Sequence, residues 1–359
     1  MESLLIHSGQ GDYSVNFFEN LGEMEVVVLE QSVNAIVIDH NVANLYQEQL
    51  NLILARIPVL FMDATEEGKT LQGIEKTLSF YQENNLTRQS IVLAIGGGII
   101  QDIVTFSSHI YYRGIRWMFI PTTLLSMGDS CIGAKCGINF ENHKNQLGVF
   151  QSPSRVFICP KFTLTLSERD VRSGYGEILK LMLTGSRVLY ENYAQIISKG
   201  NPSLAETQQF IFESLNVKKQ VIEKDEYEFD YRRILNFGHT FGHALESVTH
   251  YEIPHGSAVA WGLDLANYLS YEMDLLTKDD FNTIHAFIYE HFRFHLSQPV
   301  NLNDLIQATR RDKKVAQGKA HLIFMRSPGN LQIFPVEYDK HLTHLVSEYF
   351  KKYNVIYWN

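Results

Sequence analysis

The sequence predicts a chain of two domains: an α/β domain built on a parallel sheet over residues 1–160, and a mainly α-helical domain over residues 161–359. Three observations carry this. Short apolar, β-branched runs recur in the first half. Helix-like stretches separate several of them. From about Leu164 the pattern changes to long helical segments. Strands that alternate with helices indicate a parallel sheet with helical crossovers.

The strand-like runs fall at residues 35–38, 59–61, 91–95, 117–120 and 156–158, and residues 70–83 read as a helix. In the second half, Ser167-Glu168-Arg169-Asp170 resembles a capping box with Asp in the place of Glu, and Gly185 is a stop signal. The helix between them carries Glu177 and Lys180 one turn apart on one face. A cleft between two such domains is a natural place for a ligand.

Composition narrows the class of protein. At 359 residues the chain can bury a substantial core. Its hydrophobic content of 45% and charged content of 20% suit a soluble globular protein. A net charge of −9 without a basic stripe disfavours nucleic acid as a partner. Cys131, Cys136 and Cys159 form no CxxC pair. They argue against a disulfide framework or a thiolate zinc site, and they fit a reducing compartment. The opening Met1-Glu2-Ser3-Leu4-Leu5 lacks the basic region of a signal peptide, and no apolar run has the length of a membrane span. The expectation is a cytoplasmic protein with no membrane partner.

Two motifs carry chemistry. The first runs from Asn236 through His239 and His243 to Glu246, followed by Pro254-His255-Gly256. His239 and His243 are four apart in a helical segment and so share a face. His255 arrives from a separate segment, and Glu177 from far upstream. One carboxylate with imidazoles from separate segments is how a protein builds a catalytic zinc site with an open position. Any one of these histidines alone is more often a surface or capping residue. The whole pattern outweighs that reading. The second motif is a strand-length run, residues 91–95, that enters Gly96-Gly97-Gly98 and then an amphipathic segment reaching Asp102. Such glycines let a backbone approach a phosphate, and the following helix offers free N–H groups and a positive dipole end. The spacing is not G-x-G-x-x-G, so the turn gains its meaning from the first motif.

With these residues in view, the chain resembles the 3-dehydroquinate synthase family within the sugar phosphate cyclases. The likeness rests on ordered motifs: Asp39-His40-Asn41-Val42, Glu66-Glu67-Gly68-Lys69, the glycine turn, Tyr112-Arg113-Gly114 and Pro121-Thr122-Thr123-Leu124-Leu125. It continues through Asp129-Ser130, Gly133-Ala134-Lys135, Lys144-Asn145, Glu177 with Lys180, Arg232, the histidine motif and Asp312-Lys313-Lys314. The resemblance implies a Rossmann-like NAD-binding domain, a helical domain that holds a divalent metal, usually zinc, and a homodimer. It implies Glu177, His239 and His255 as metal ligands. Asp39, Asn41, Glu66, Lys69, Gly97, Gly98, Asp102, Thr122 and Thr123 would surround NAD. Asp129, Lys135, Lys144, Asn145, Lys180, Lys218, Arg232, Asn236, His243 and one of Lys313 and Lys314 would line the substrate site. Arg113 would reach a substrate phosphate, in its own subunit or a partner's.

The implied activity is a phosphate-eliminating lyase of the shikimate pathway. It would turn the sugar phosphate 3-deoxy-D-arabino-heptulosonate 7-phosphate into 3-dehydroquinate by transient oxidation with NAD. Two other readings share the toolkit. One is a cyclase for a different sugar phosphate, such as a 2-deoxy-scyllo-inosose or amino-dehydroquinate synthase. The other is an NAD- and metal-dependent polyol dehydrogenase. The chain also departs from the usual motifs. Gln101 stands where the glycine loop normally ends in Gly, Ala134 and Cys136 stand where Gly and Thr are usual, and Ser257 stands where Glu is usual. None of these removes an implied ligand.

Overall fold

The computed structural model describes residues 3–141, 143–310, 315–316, 319–337, 339–353 and 356–358. The chain forms two compact units, Met1–Ser167 with Lys219–Tyr227, and Glu168–Lys218 with Glu228–Asn359.

The first unit holds strands β1 (Ser3–Ile6), β2 (Tyr13–Phe17), β3 (Ala35–Asp39), β4 (Val59–Met62), β5 (Ile91–Gly96), β6 (Arg116–Pro121), β7 (Lys135–Phe140), β8 (His143–Phe150) and β9 (Arg155–Ile158). Its helices are α1 (Leu21–Leu29), α2 (His40–Leu45), α3 (Asn51–Leu54), α4 (Leu71–Glu83) and α5 (Gly98–Ile110). Seven strands form one sheet in the order β1-β2-β9-β6-β5-β3-β4. All neighbours run parallel except β1 with β2. The five apolar runs of the sequence are β3, β4, β5, β6 and β9. All six residues of β5 are buried, as expected for a central parallel strand covered on both faces. Helix α4 begins after Thr70 and ends at Glu83, as its sequence predicts. β1, β2 and the separate β7–β8 hairpin are additions that the sequence reading lacks. β1 and β2 alternate buried with exposed or half-buried residues and so carry no continuous apolar run.

The strand order reverses between β3 and β5. Ile38 pairs with Ile95, so Asp39 at the end of β3 lies beside the Gly96-Gly97-Gly98 turn at the end of β5. Gly96 in turn pairs with Pro121 at the end of β6, just before Thr122. These three strand ends share the carboxyl edge at a topological switch point, where open α/β sheets bind ligands.

The second unit holds helices α6 (Glu168–Gly185), α7 (Arg187–Ile197), α8 (Leu204–Ile222), α9 (His239–Val248), α10 (His255–Glu272), α11 (Lys278–Phe292), α12 (Leu302–Arg310) and α13 (Lys340–Lys352). Its short strands are β10 (Phe294–Leu296), β11 (Val315–Ala316), β12 (Lys319–Ser327), β13 (Asn330–Glu337) and β14 (Ile356–Trp358). α8 runs on past Lys218, and its residues from Lys219 belong to the first unit. α6 starts and stops where the capping box and Gly185 predict. α10 is buried almost all round and packs against α6, α9, α11 and α13, so it is the axis of this unit. No helix among the described residues is long and apolar enough to cross a membrane.

Glycines set how closely α10 meets its neighbours. A Cβ on Gly256 would stand 1.8 Å from the Ser173 carbonyl oxygen, and one on Gly176 would stand 2.1 Å from the Gly256 carbonyl oxygen. On the α9 side, a Cβ on Gly262 would stand 2.0 Å from the Gly238 carbonyl oxygen. No side chain fits at these crossings. Gly256→Ala should therefore destabilise the protein by about 3 kcal/mol and cost metal affinity, because the obstacle is the Ser173 backbone, which cannot swing away. Denaturant melts with and without metal measure this; a stability within experimental error of wild type refutes it.

Candidate active site

In the second unit, the glycine crossings bring Glu177 of α6, His239 and His243 of α9, and His255 of α10 together. Glu177 is buried. Its Oε2 accepts from Lys180 Nζ at 2.6 Å, one helical turn on. Its Oε1 lies 3.0 Å from His255 Nε2 and 3.5 Å from His239 Nε2. The other ring nitrogens are spoken for. His239 Nδ1 lies 3.2 Å from the Phe237 carbonyl oxygen, which can only accept, so that nitrogen carries the proton. His255 Nδ1 lies 3.0 Å from Glu246 Oε2. Both rings thus aim Nε2 at one carboxylate oxygen, in the way that outer carboxylates and carbonyls orient metal-binding imidazoles.

The donors fit a divalent cation. Oxygen-to-nitrogen separations of 3.0 and 3.5 Å are those of neighbouring ligands around one ion with bonds of about 2.1 Å. One carboxylate and two imidazoles suit zinc. Nitrogens of His239, His243 and His255 also lie within 4.8 Å of one another, so a three-histidine set overlaps the carboxylate set. Burial opposes a charge on His255, yet hydrogen bonds and charge from Glu177 and Glu246 hold its pKa up to about 10. The pocket demands a cation, and a proton and a metal compete for it.

Other expected residues of this unit lie in its interior. Lys180, Lys218 and Arg232 are buried, and Arg232 belongs to the short 3-10 turn Tyr231–Asn236. Asn236 Nδ2 donates to Glu228 Oε1, a carboxylate the sequence reading did not single out. Lys313 and Lys314 lie outside the described residues.

The first unit gathers a second set. Lys69 Nζ donates to Asn145 Oδ1 at 2.8 Å and to Asp102 Oδ2 at 3.1 Å, with Glu66 Oε1 3.8 Å away. Lys144 Nζ lies 3.9 Å from the same Glu66 oxygen. Asn139, also missed, joins the set: its Nδ2 donates to Glu66 Oε1 at 2.8 Å and its Oδ1 accepts from Asn145 N at 2.9 Å. Nothing in the sequence marks Asn139, because its role comes from the β7–β8 hairpin. Gly97 caps α5, and a Cβ there would stand 3.0 Å from Thr123 Cγ2. Thr122 N donates to the Gly96 carbonyl at 2.9 Å. Asp39 accepts from Asn41 N at 3.0 Å and caps α2. Asp129 lies in the five-residue π-helical segment Ser126–Ser130. Lys135 opens β7, exposed, just after Ala134, whose φ of 61° is left-handed.

Arg113 stands apart from this set. It follows the C-terminal end of α5, whose N-terminal end is the glycine turn. Thirteen helical residues span about 20 Å. Arg113 is exposed, with a left-handed φ of 64°.

Burial pushes the Asp102 carboxyl up to about 6, against the pull of the Lys69 ammonium and of hydrogen bonds from Lys69 and Gly137. A folded pKa above the unfolded one gives a stability contribution that is present below about pH 4 and lost as pH rises through about 6. Asp102→Asn should shrink the stability difference between about pH 4.5 and about pH 7 relative to wild type. Denaturation midpoints at both pH values test this, and an unchanged difference would count against it.

This fold, an α/β sheet unit followed by a helical unit, is shared by the sugar phosphate cyclases and the polyol dehydrogenases. The first are represented by 2-epi-5-epi-valiolone synthase from Streptomyces hygroscopicus subsp. jinggangensis, solved with NAD+ and Zn2+ bound. It is 26% identical with a TM-score of 0.83, covering 96% of this chain and 98% of that one. A 2-deoxy-scyllo-inosose synthase complexed with carbaglucose-6-phosphate, NAD+ and Co2+ is 20% identical with a TM-score of 0.83, covering 97% and 99%. Glycerol dehydrogenase from Schizosaccharomyces pombe is more distant, at 15% identity and a TM-score of 0.59, covering 94% and 90%.

Sequence narrows the class further. Residues 59–173 match the model of the 3-dehydroquinate synthase N-terminal region, and residues 174–315 that of the C-terminal region. The 3-dehydroquinate synthase of Dictyoglomus thermophilum is 37% identical over 295 residues, 81% of either chain. That of Helicobacter pylori is 33% identical over 336 residues, 93% of this chain and 95% of the relative. The chain belongs to the 3-dehydroquinate synthase family.

Proposed function

We propose that this chain converts 3-deoxy-D-arabino-heptulosonate 7-phosphate into 3-dehydroquinate and phosphate, with NAD regenerated in each turnover and zinc as the divalent metal. The observation that carries the reading is the convergence of Glu177, His239 and His255 in a chain of this family. The NAD+ and metal ions bound by the solved relatives support it.

Glu177, His239 and His255 hold the metal, with His243 beside it toward the substrate. When bound, the metal supplies Lewis acidity to an alcohol and the ketone made from it, and NAD takes up hydride and returns it. The chain's own residues do the rest. Gly97 and Gly98 leave room for a pyrophosphate at the N-terminus of α5. Asp39, at the end of the neighbouring strand, is placed to accept from ribose hydroxyls. Asn41, Glu66, Lys69, Asp102, Thr122 and Thr123 complete the dinucleotide set. Lys180 fixes the second oxygen of Glu177. Lys135, Lys144, Lys218 and Arg232, with Asn145, Asn236 and Asp129, meet a substrate that carries both a phosphate and a carboxylate. Arginine serves there as a bidentate fork and lysine as a movable point charge. The departing phosphate itself carries off the proton made acidic by the neighbouring ketone. The working form is a homodimer, and Arg113, remote from the glycine turn of its own chain, serves a partner's site.

Incubation with the heptulosonate phosphate, NAD and zinc should release one phosphate per molecule of 3-dehydroquinate while the NADH absorbance stays flat. NADH that accumulates in step with substrate loss would favour the polyol dehydrogenase, and phosphate release only from another sugar phosphate would favour a different cyclase. Lys135→Ala should lower turnover by about 100-fold or more, because a placed charge in a dry site supplies several kcal/mol to the transition state. Near-normal kinetics in this variant would remove Lys135 from the site.

A further inference from the structure

We propose that Gln101 is a positioning residue for Asp129, acting through Ser130. The inference rests on the reading of Asp129 as a substrate-facing group. Gln101 is buried in the first turns of α5. Both ends of its carboxamide go to one residue. Nε2 donates to the Ser130 carbonyl oxygen at 2.7 Å, and Oε1 accepts from Ser130 Oγ at 2.8 Å. Ser130 is the last residue of the π-helical segment and directly follows Asp129.

The segment is anchored at its other end by Thr123. Ser126 Oγ donates to the Thr123 carbonyl oxygen at 2.9 Å, and the Cys131 N–H closes the wide turn on the Ser126 carbonyl at 3.0 Å. Asp129 thus lies between two fixed points, one on Thr123, two residues past β6, and one on α5. A π-helical turn is an uncommon conformation that recurs at functional sites. The clamp at Ser130 ties the C-terminal end of this turn to α5. Ser130 also borders the cofactor side: a Cβ on Gly98 would stand 3.9 Å from its Oγ. The pair therefore references Asp129 to the same helical turn that begins with Gly98. Gln101 stands where the family motif has glycine, which offers no side chain for such a clamp. A catalytic group displaced by about 1 Å loses on the order of 100-fold in rate, so a clamp of this kind acts on turnover.

Gln101→Met keeps the length of the side chain and removes both hydrogen bonds. The expected result is a fall in kcat for phosphate release of about tenfold or more, with the Kd for NAD, read by fluorescence, within about twofold of wild type. Ser130→Ala, which keeps the bond to the Ser130 carbonyl, should lower kcat by less, Ser130→Thr should retain activity, and the double variant should be no worse than Gln101→Met alone. Losses that multiply in the double variant, or an unchanged kcat in Gln101→Met, would overturn the proposal. Amide hydrogen exchange at residues 129–131 gives a readout independent of the substrate. It should quicken in Gln101→Met even if the wild-type protein leaves the heptulosonate phosphate untouched, which would refute the proposed function alone. Unchanged exchange there refutes the clamp.

Discussion

The structure depends on how closely three helices can approach. α10 touches α6 and α9 through glycine, and the backbone atoms at those crossings leave no space for a methyl group. Ordinary helices pack with their axes 8–10 Å apart because side chains separate them. At the shorter distance, a carboxylate from α6 and imidazoles from α9 and α10 reach one point from three backbones. Gly176 precedes Glu177, and Gly256 follows His255. The residues that permit the contact are therefore neighbours of the residues that use it. Ser173 strengthens the crossing by accepting the Gly256 N–H at 2.9 Å.

Convergence alone would be unfavourable, since buried charge is costly unless it is paired. Glu177 has one oxygen held by the Lys180 ammonium, and its other oxygen faces the Nε2 atoms of two imidazoles, an arrangement that a cation completes. Glu246 extends the chain of charges one step beyond His255. The first unit solves the same problem differently. There Lys69 is the buried centre, shared by Asp102 and Asn145, and Asn139 fixes Glu66 at its side. Groups held in this way lose little freedom when a ligand arrives, and that preorganisation is what a reactive site requires.

How much of this the sequence discloses depends on the range of the interaction. The central strands are legible because burial on both faces demands continuous apolar residues. β1 and β2, at one side of the sheet, are not, because their buried residues alternate with exposed or half-buried ones. The limits of α6 are legible from local capping at Ser167 and Gly185. Glu177, His239 and His255 are legible as a set through spacing and motif, and the structure brings them together. Asn139, Glu246 and Glu228 are polar residues of ordinary type whose partners lie on other elements, so no local pattern marks them. Gln101 is a middle case. It is visible as a departure from a motif, but its meaning requires Ser130, 29 residues away. The return of residues 219–227 to the first unit is equally invisible, since α8 passes the boundary without a break in its helical pattern.

The departures from the family motifs have a common address. Gln101 sits on α5 against Ser130. Cys136, where threonine is usual, points its Sγ at the carbonyl oxygen of Asp102, the next residue of α5, at 3.1 Å. The adjoining Gly137 N–H donates to the Asp102 carboxylate at 3.3 Å. Ala134, where glycine is usual, keeps a left-handed φ of 61° that costs a residue with a Cβ about 1 kcal/mol. Three exchanges thus meet where α5, the π-helical turn and β7 come together, around Asp129 and Lys135. Ser257 alone lies elsewhere, buried in α10. A side chain has been added at Gln101 beside a turn where strain has been accepted at Ala134, and neither change touches Glu177, His239 or His255. Such a distribution leaves the cluster of Glu177, His239 and His255 untouched and concentrates the chain's departures around Asp129 and Lys135, which we propose to face the substrate.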